Sequence, residues 1–323
     1  NRQSPIASNQ SPAALRLPSL VFGLPTSVPG LPSPVIGCQA ADYGLRTMDY
    51  NIARMTPSAP PLPPPVLVRR AADLRALAER LARQPTIAVD TESNSLHAYF
   101  ERVCLIQFSL PEAAGGDDYV VDCLTLDDLS PLAPVLADAA VEKVFHAAEY
   151  DLLCLKRDFD IRVNNLFDTM IAARTLGWPK VGLAALLEER FGLQMDKRFQ
   201  RADWGRRPLR PDLLAYARLD THYLLPLRSA MRAELLDADR WPEAEEEFER
   251  VTLACARSAP AASAADGQGF WRASGVRDLS PRQQAIFREL YMYRDQIARR
   301  VNRPSFKVLD DKSLLAVAQA EPR

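Results

Sequence analysis

Two carboxylates, Asp90 and Glu92, follow an apolar run in the stretch IAVDTES at residues 87–93. In a strand, side chains two residues apart point to the same side of the sheet, so both acids can face one point. Their repulsion there would be relieved by a divalent cation, which prefers carboxylate oxygens as ligands. The spacing alone is uninformative, because acid pairs recur at 158–160 and 237–239. A solvated strand end therefore stays open as the alternative.

Three further side chains could join such a site. Asp151 lies near the start of a predicted helix, where the helix dipole also favours an ordinary acid. Tyr216 and Asp220 are four residues apart in YARLDTHYLL, a spacing that puts both on one face of a helix. Taken alone, each feature favours a structural role: a first-turn acid, or a core tyrosine near a surface aspartate.

The elements that would position these residues alternate along the chain. Apolar and β-branched runs predict strands at 86–91, 103–110, 119–124 and 142–146. Helical spacing predicts helices at 71–83, 126–140, 148–159, 182–192 and 211–235. A GGDD turn at 115–118 predicts a hairpin, and Pro226 predicts a kink in the last of these helices. The order predicts an α/β fold with a mixed sheet covered by helices on both faces.

The composition is that of a globular protein, with 47% hydrophobic and 25% charged residues among 323. The formal net charge of −1 gives no overall attraction to nucleic acid, although a local basic patch stays open. Five scattered cysteines without a CxxC spacing argue against a disulfide framework or a zinc site and favour a reducing, cytoplasmic location. No apolar run is long enough to predict a membrane span.

The motif order resembles that of the DEDD superfamily of 3′→5′ exonucleases, in the subgroup with a tyrosine in the last motif. The flanking sequence narrows the resemblance to the ribonuclease D family. It is carried by DTE, ERVCLIQFS, KVFHAAEYDLLCL, FDT, LQMDKRFQRADWGRRPL and YARLDTHYLLPL, between residues 90 and 227. The resemblance covers about residues 66–237, which is roughly half of the chain, and all four acidic positions are filled.

The resemblance implies a ribonuclease H-like fold and two divalent cations, Mg²⁺ or Mn²⁺, with no small-molecule cofactor. In the implied roles, Asp90 bridges both ions, and Glu92 and Asp220 complete the ion that binds the attacking water. Asp151 holds the second ion. Tyr216 orients the water, since a phenol with an ordinary pKa of about 10 is a poor base. The implied reaction is hydrolysis of RNA 3′ ends, such as those of tRNA precursors, with release of 5′-nucleotides.

Two alternatives remain open at this stage. A 3′→5′ DNA exonuclease of the kind associated with RecQ helicases shares the motifs, and no residue in the sequence shows that a 2′-hydroxyl is read. A non-catalytic RNA-binding module on the same fold is the second alternative, which the intact acids disfavour.

Several side chains near the motifs are candidates for nucleic-acid contacts. Leu96, Tyr99 and Phe100 follow the DTE strand and could stack on the terminal base. Trp204 is expected to pack against the last helix at the edge of the site, and Arg207 to touch a phosphate.

Three polar residues beside the motifs are expected to be structural. Asp168 of FDT is expected to cap the helix that follows it. His146 and His222 are expected to be packed or hydrogen-bonded, with a functional role as the open alternative.

The flanking regions differ in composition from the exonuclease-like part, predicted as a domain over 66–237. Residues 1–65 hold 13 of the 26 prolines and are predicted to form a disordered extension. Residues 238–268 combine an acidic run with APAASAADG and are predicted to be a linker.

Residues 269–323 are locally basic, with eleven Lys or Arg residues against six Asp or Glu. The stretch 278–318 resembles part of the HRDC domain, a small helical nucleic-acid-binding module. Phosphate contacts are predicted at Arg294, Arg299 and Arg300, with Arg303 and Lys307 as further candidates. A solvated helix face is the alternative.

Overall fold

The computed structural model describes residues 62–258 and 269–321, so nearly all of the predicted Pro-rich extension lies outside the described residues. The strands are β1 (Val66–Val68), β2 (Thr86–Ser93), β3 (Val103–Ser109), β4 (Asp118–Asp122), β5 (Glu142–Phe145) and β6 (Leu166–Asp168). The first helices are α1 (Ala71–Leu81), α2 (Ala133–Ala137), α3 (Glu149–Phe159), α4 (Thr169–Thr175) and α5 (Leu183–Phe191). They are followed by α6 (Pro211–Ala217), α7 (Leu219–His222), α8 (Leu224–Asp237), α9 (Trp241–Arg257), α10 (Pro281–Val301), α11 (Ser305–Val308) and α12 (Asp311–Ala320).

The six strands form one mixed sheet in the order β1-β4-β3-β2-β5-β6. Strand β2 pairs antiparallel with β3 and parallel with β5, and β3 and β4 form the predicted hairpin. Every residue of β3 is buried, because helices cover both faces of the sheet. The predicted α/β architecture is confirmed.

The predicted helix over 211–235 is three helices rather than one. Arg218 separates α6 from α7, and Tyr223 separates α7 from α8. Pro226 occupies the third position of α8, where a missing N–H is tolerated. A proline there cannot donate a hydrogen bond to the carbonyl of His222, so the helix is interrupted just before the proline. The prediction of a continuous helix kinked at Pro226 is therefore wrong.

The first part of the predicted linker over 238–268 is a helix. Helix α9 buries Ala244, Phe248, Val251 and Cys255 along one face. The ring of Phe248 lies 5.0 Å from that of Phe167 in β6, measured between ring centroids. Residues 241–257 thus belong to the main core, since their apolar stripe outweighs the acidic residues on the opposite face. The Ala/Ser/Pro-rich stretch over 259–268 lies outside the described residues.

The C-terminal segment is all-helical, as predicted, and the structure gives it a small core of its own. Ser280 and Gln283 form a capping box at the start of α10, and Phe287 of α10 packs with Leu314 of α12 in that core. In the described ranges, none of the helices combines the length and the apolar character needed to cross a membrane.

The segment contacts the loop that follows β2. Tyr99 donates from its hydroxyl to the Asp295 carboxylate at 2.9 and 3.0 Å, and the Phe100 N–H donates to Asn302 Oδ1 at 3.0 Å. The Arg299 guanidinium lies 5.9 and 6.0 Å from the centroids of the two aromatic rings. Helix α10 is thereby fixed to the loop that continues from the acid-bearing strand.

The Tyr99 hydroxyl contact predicts a measurable effect on stability. Tyr99→Phe keeps the ring but leaves the Asp295 carboxylate without this donor, so the free energy of unfolding should fall by about 1–2 kcal/mol. Urea denaturation checks this. Tyr150→Phe is the control, because Tyr150 is 47% exposed and its hydroxyl lies 3.3 Å from Glu101; it should change stability by less than about 0.5 kcal/mol. Equal effects of the two variants would contradict the importance of the Tyr99 contact.

Candidate active site

The structure brings the four predicted acids and the tyrosine into one cavity of about 570 Å³. Asp90 and Glu92 come from β2, where their spacing turns both to the same side. Asp151 lies in the first turn of α3. Tyr216 lies in α6 and Asp220 in α7, so the break at residue 218 falls between the two.

The carboxylates are arranged as a cation site requires. One oxygen from each of Asp90, Glu92 and Asp220 lies within 4.8 Å of the other two. All three side chains are half-buried, and Asp151 lines the same cavity. Hard divalent cations take several carboxylate oxygens at short distances, so the donor set fits a divalent metal.

The pKa values of these acids show how strongly the cluster disfavours its own charge. Burial, together with the neighbouring carboxylates, raises the pKa of Asp90 and of Glu92 well above the usual range. Burial raises the pKa of Asp151 to about 7, and burial with the charge of Asp151 raises that of Asp220 to about 7. A bound cation would favour the ionised forms and reverse these shifts.

Asp151 is held by a residue that sequence reasoning missed. The Thr91 hydroxyl, between the two β2 acids in sequence, donates to Asp151 Oδ1. This hydrogen bond opposes part of the effect of burial on the Asp151 pKa. The DTE motif thus supplies a hydroxyl that fixes a third acid, which no spacing rule in the sequence indicates.

Asp168 fixes the backbone that leads into α3. Its carboxylate accepts from Met170 and Ile171 at the start of α4, which is the predicted cap. The same carboxylate accepts from the N–H groups of Ala147 at 3.0 Å and Ala148 at 2.7 Å. Ala147 has a left-handed backbone with φ 60°, which these bonds help to hold. Asp168 therefore joins the N-termini of two helices, one of which carries Asp151.

Tyr216 is held by two aromatic neighbours. Trp204 stacks on its ring with the centroids 6.3 Å apart, and Phe199 lies at 5.6 Å. Burial and the charges of Asp220 and Glu92 raise the pKa of Tyr216 above its usual value. The phenol therefore keeps its proton near neutral pH and is able to donate a hydrogen bond.

Two of the predicted edge contacts are structural. Trp204 is 2% exposed and packs on the helix bearing Tyr216, as expected, so its indole is not available to bases. The guanidinium of Arg207 pairs with the buried carboxylate of Asp122, with Nη2 2.5 Å from Oδ1, and also donates to the Cys104 carbonyl. The predicted phosphate contact of Arg207 is corrected, because this pairing occupies its donors.

Among the candidate nucleic-acid contacts in the loop and the C-terminal segment, some remain and others are corrected. Leu96 and Phe100 are 39% and 56% exposed and both remain candidates, although neither lines the cavity. The Tyr99 hydroxyl is bonded to Asp295 on α10. Arg294 is buried and donates to the Leu309 carbonyl and to Asp311, so its prediction as a phosphate contact is corrected.

Three arginine candidates remain, Arg299, Arg300 and Arg303, and all three are exposed. Arg299 lies over the Tyr99 and Phe100 rings. Arg300, beside it on α10, is exposed and stays a predicted phosphate contact.

The two histidines lie in different surroundings. His222 Nδ1 lies 2.9 Å from the Asp118 carboxylate, and the ring packs edge-on against Tyr223, so His222 has the expected structural role. His146 lines the acidic cavity, so the functional alternative stays open for this histidine. Its position five residues before Asp151 was the only signal in the sequence.

Comparison with known proteins places this geometry in context. A family model described as a 3′-5′ exonuclease matches residues 65–236, and one for the HRDC domain matches residues 283–323. Ribonuclease D of Acidiphilium cryptum is 33% identical over 270 residues, covering 83% of this chain and 66% of that protein. The chain spans about a third of the length of the first curated relatives it matches, 31% and 36% of theirs.

Solved structures show the same similarity in three dimensions. The catalytic core of RRP6 from Trypanosoma brucei superposes with a TM-score of 0.69 at 30% identity, covering 83% of this chain and 74% of that one. Escherichia coli RNase D, described as an exoribonuclease involved in structured RNA processing, gives 0.63 at 28% identity, covering 80% and 67%. The expected ribonuclease H-like fold and the resemblance to ribonuclease D are confirmed. With more than half of its residues matched by the family model, the chain belongs to the 3′-5′ exonuclease family.

Proposed function

We propose that this protein is a metal-dependent 3′→5′ exoribonuclease that shortens RNA from its 3′ end and releases 5′-nucleotides. The observation that carries the proposal is the convergence of Asp90, Glu92, Asp151, Tyr216 and Asp220 on one cavity. The ribonuclease D and RRP6 relatives support RNA as the substrate. Structured RNA precursors such as those of tRNA are the proposed natural targets, and a cytoplasmic location stays a prediction.

The proposed cofactors are two divalent cations, Mg²⁺ or Mn²⁺. Asp90, Glu92 and Asp220 would hold one, and Asp151 with Asp90 the other. Such cations supply positive charge beside the scissile phosphate and a bound water of lowered pKa.

The protein's own groups would position the reactants. Tyr216 donates from its protonated hydroxyl and so orients an oxygen at the reaction centre. Trp204 and Phe199 keep the phenol in place through their ring contacts. Thr91 keeps the Asp151 carboxylate turned toward the cavity.

A direct substrate comparison tests the proposal. Matched RNA and single-stranded DNA, labelled at the 5′ end and carrying single-stranded 3′ tails, would be incubated with Mg²⁺, with Mn²⁺ or with EDTA. We expect stepwise loss of single nucleotides from the RNA, dependent on metal and at least about tenfold faster than from DNA. The Asp90→Asn protein, purified in parallel, controls for contaminating nucleases.

Each contrary result points to one of the alternatives. Equal or faster loss of DNA would favour a DNA exonuclease. Binding of RNA without metal-dependent cleavage would favour an RNA-binding module.

A further inference from the structure

His146 has a defined tautomer at the wall of the acidic cavity. Its Nδ1 lies 2.9 Å from Thr169 Oγ1, and that hydroxyl lies 3.1 Å from the carbonyl oxygen of Phe145. A carbonyl can only accept, so the Thr169 hydroxyl directs its proton to Phe145 and accepts from the imidazole. The proton of His146 is therefore on Nδ1, and Nε2 carries a lone pair.

Nε2 is the ring nitrogen left for the cavity that His146 lines. Among the described residues it has no hydrogen-bond partner, and it is not fully buried. Burial lowers the pKa of His146 to about 4, so the ring stays neutral near pH 7. The compact acid group of Asp90, Glu92 and Asp220 does not include His146, which separates its role from theirs.

A lone-pair acceptor in this place selects for a hydrogen-bond donor on the substrate. Phosphate oxygens only accept, and the donors on the bases differ from one base to the next. When an exonuclease removes successive nucleotides from RNA, the substrate donors common to every 3′-terminal nucleotide are its two ribose hydroxyls. Resting on the proposed function, we propose that His146 Nε2 accepts a hydrogen bond from a ribose hydroxyl of the 3′-terminal nucleotide, and that Thr169 holds His146 in the tautomer this requires.

The test is a thermodynamic cycle that combines changes of the residue at position 146 with removal of one hydroxyl from the substrate. Three RNAs would be identical except for the terminal nucleotide: ribose, 2′-deoxyribose or 3′-deoxyribose. The quantity measured is kcat/KM for removal of that nucleotide by the wild type, by His146→Phe and by His146→Gln. In the wild type, we expect loss of one hydroxyl to slow removal by about five- to tenfold, the worth of one neutral hydrogen bond.

In His146→Phe, which has no acceptor, removing the same hydroxyl should lower kcat/KM by less than about twofold. His146→Gln should retain part of the preference, because its amide oxygen can accept. The 2′-deoxy and 3′-deoxy arms identify which hydroxyl is involved. His97→Phe is the matched control, since His97 Nε2 already has a protein partner in the Arg201 carbonyl; its hydroxyl preference should equal that of the wild type.

The contrary outcomes are distinct. An active wild type whose hydroxyl penalties are unchanged in His146→Phe, or absent altogether, overturns the role of His146 and leaves the proposed function standing. A wild type that cleaves none of the three RNAs with Mg²⁺ or Mn²⁺ overturns the proposed function and this inference with it.

Discussion

Asp90→Asn is expected to slow RNA hydrolysis by on the order of a thousandfold or more, while the affinity for RNA changes little. The substitution preserves shape but removes one charge from the donor set of Asp90, Glu92 and Asp220, whose oxygens lie within 4.8 Å of one another. Charge stabilisation by bound metal is worth several kcal/mol at the transition state, which corresponds to this loss of rate. Single-turnover cleavage and RNA binding in EDTA measure the two quantities separately.

Asp237→Asn is the matched control for this substitution. Asp237 also belongs to an acid pair spaced two residues apart, but it lies exposed at the end of α8. The rate of RNA cleavage by Asp237→Asn should stay within about twofold of that of the wild type. An Asp90→Asn protein that cleaves within a few-fold of the wild type would refute the assignment of the site.

The metal-free protein should lose stability as the pH rises from about 4 to about 8. Asp151 and Asp220 have pKa values of about 7 when folded, against about 4 for an unfolded aspartate. The folded state therefore binds protons more tightly, and the stability this confers disappears as the pH passes the folded pKa. Three pKa units correspond to about 4 kcal/mol for one such group, an upper figure for acids that share their repulsion.

One histidine opposes this trend. The pKa of His146 is lowered to about 4, so its own contribution to stability is lost as the pH falls below about 6.5. Comparison of the wild type with Asp220→Asn in EDTA cancels that contribution, because both proteins contain His146.

The measurement is urea denaturation of both proteins from pH 5 to pH 8. The variant should be the more stable one at pH 8, by about 1–4 kcal/mol, and the gap should narrow toward pH 5. Mg²⁺ at pH 8 should stabilise the wild type more than the variant. A gap that stays constant across this pH range would show that the cluster carries no such electrostatic cost.

The sheet was predictable to the extent that its strands are long enough to show a pattern. Strand β2 has consecutive buried residues, Ile87, Ala88 and Val89, before its acids, and such runs are distinctive. Strands β1 and β6 have three residues each and show no period, so they were missed. Helix α9 was missed because its many acidic residues obscure the helical spacing of its apolar residues, which include Phe248.

The acids themselves could be located from the sequence, whereas their support could not. Motif order and family resemblance pointed to Asp90 and Asp220 without any knowledge of contacts. The bond from Thr91 to Asp151 depends on the approach of α3 to β2, which local sequence does not encode. The partners of Arg207 and Arg294 were unpredictable for the same reason, because an arginine can pair with any acid the fold brings near it.

The shared carboxylate of Asp168 has a consequence for how this protein tolerates change. One side chain accepts from the backbone at the start of α3 and at the start of α4, so a shift of either helix is transmitted to the other. Substitutions along α4 should then be epistatic with substitutions around Asp151, with combined effects that differ from the sum of the single ones. Directed-evolution libraries for this protein would do better to randomise residues 147–151 and 168–172 jointly than one region at a time.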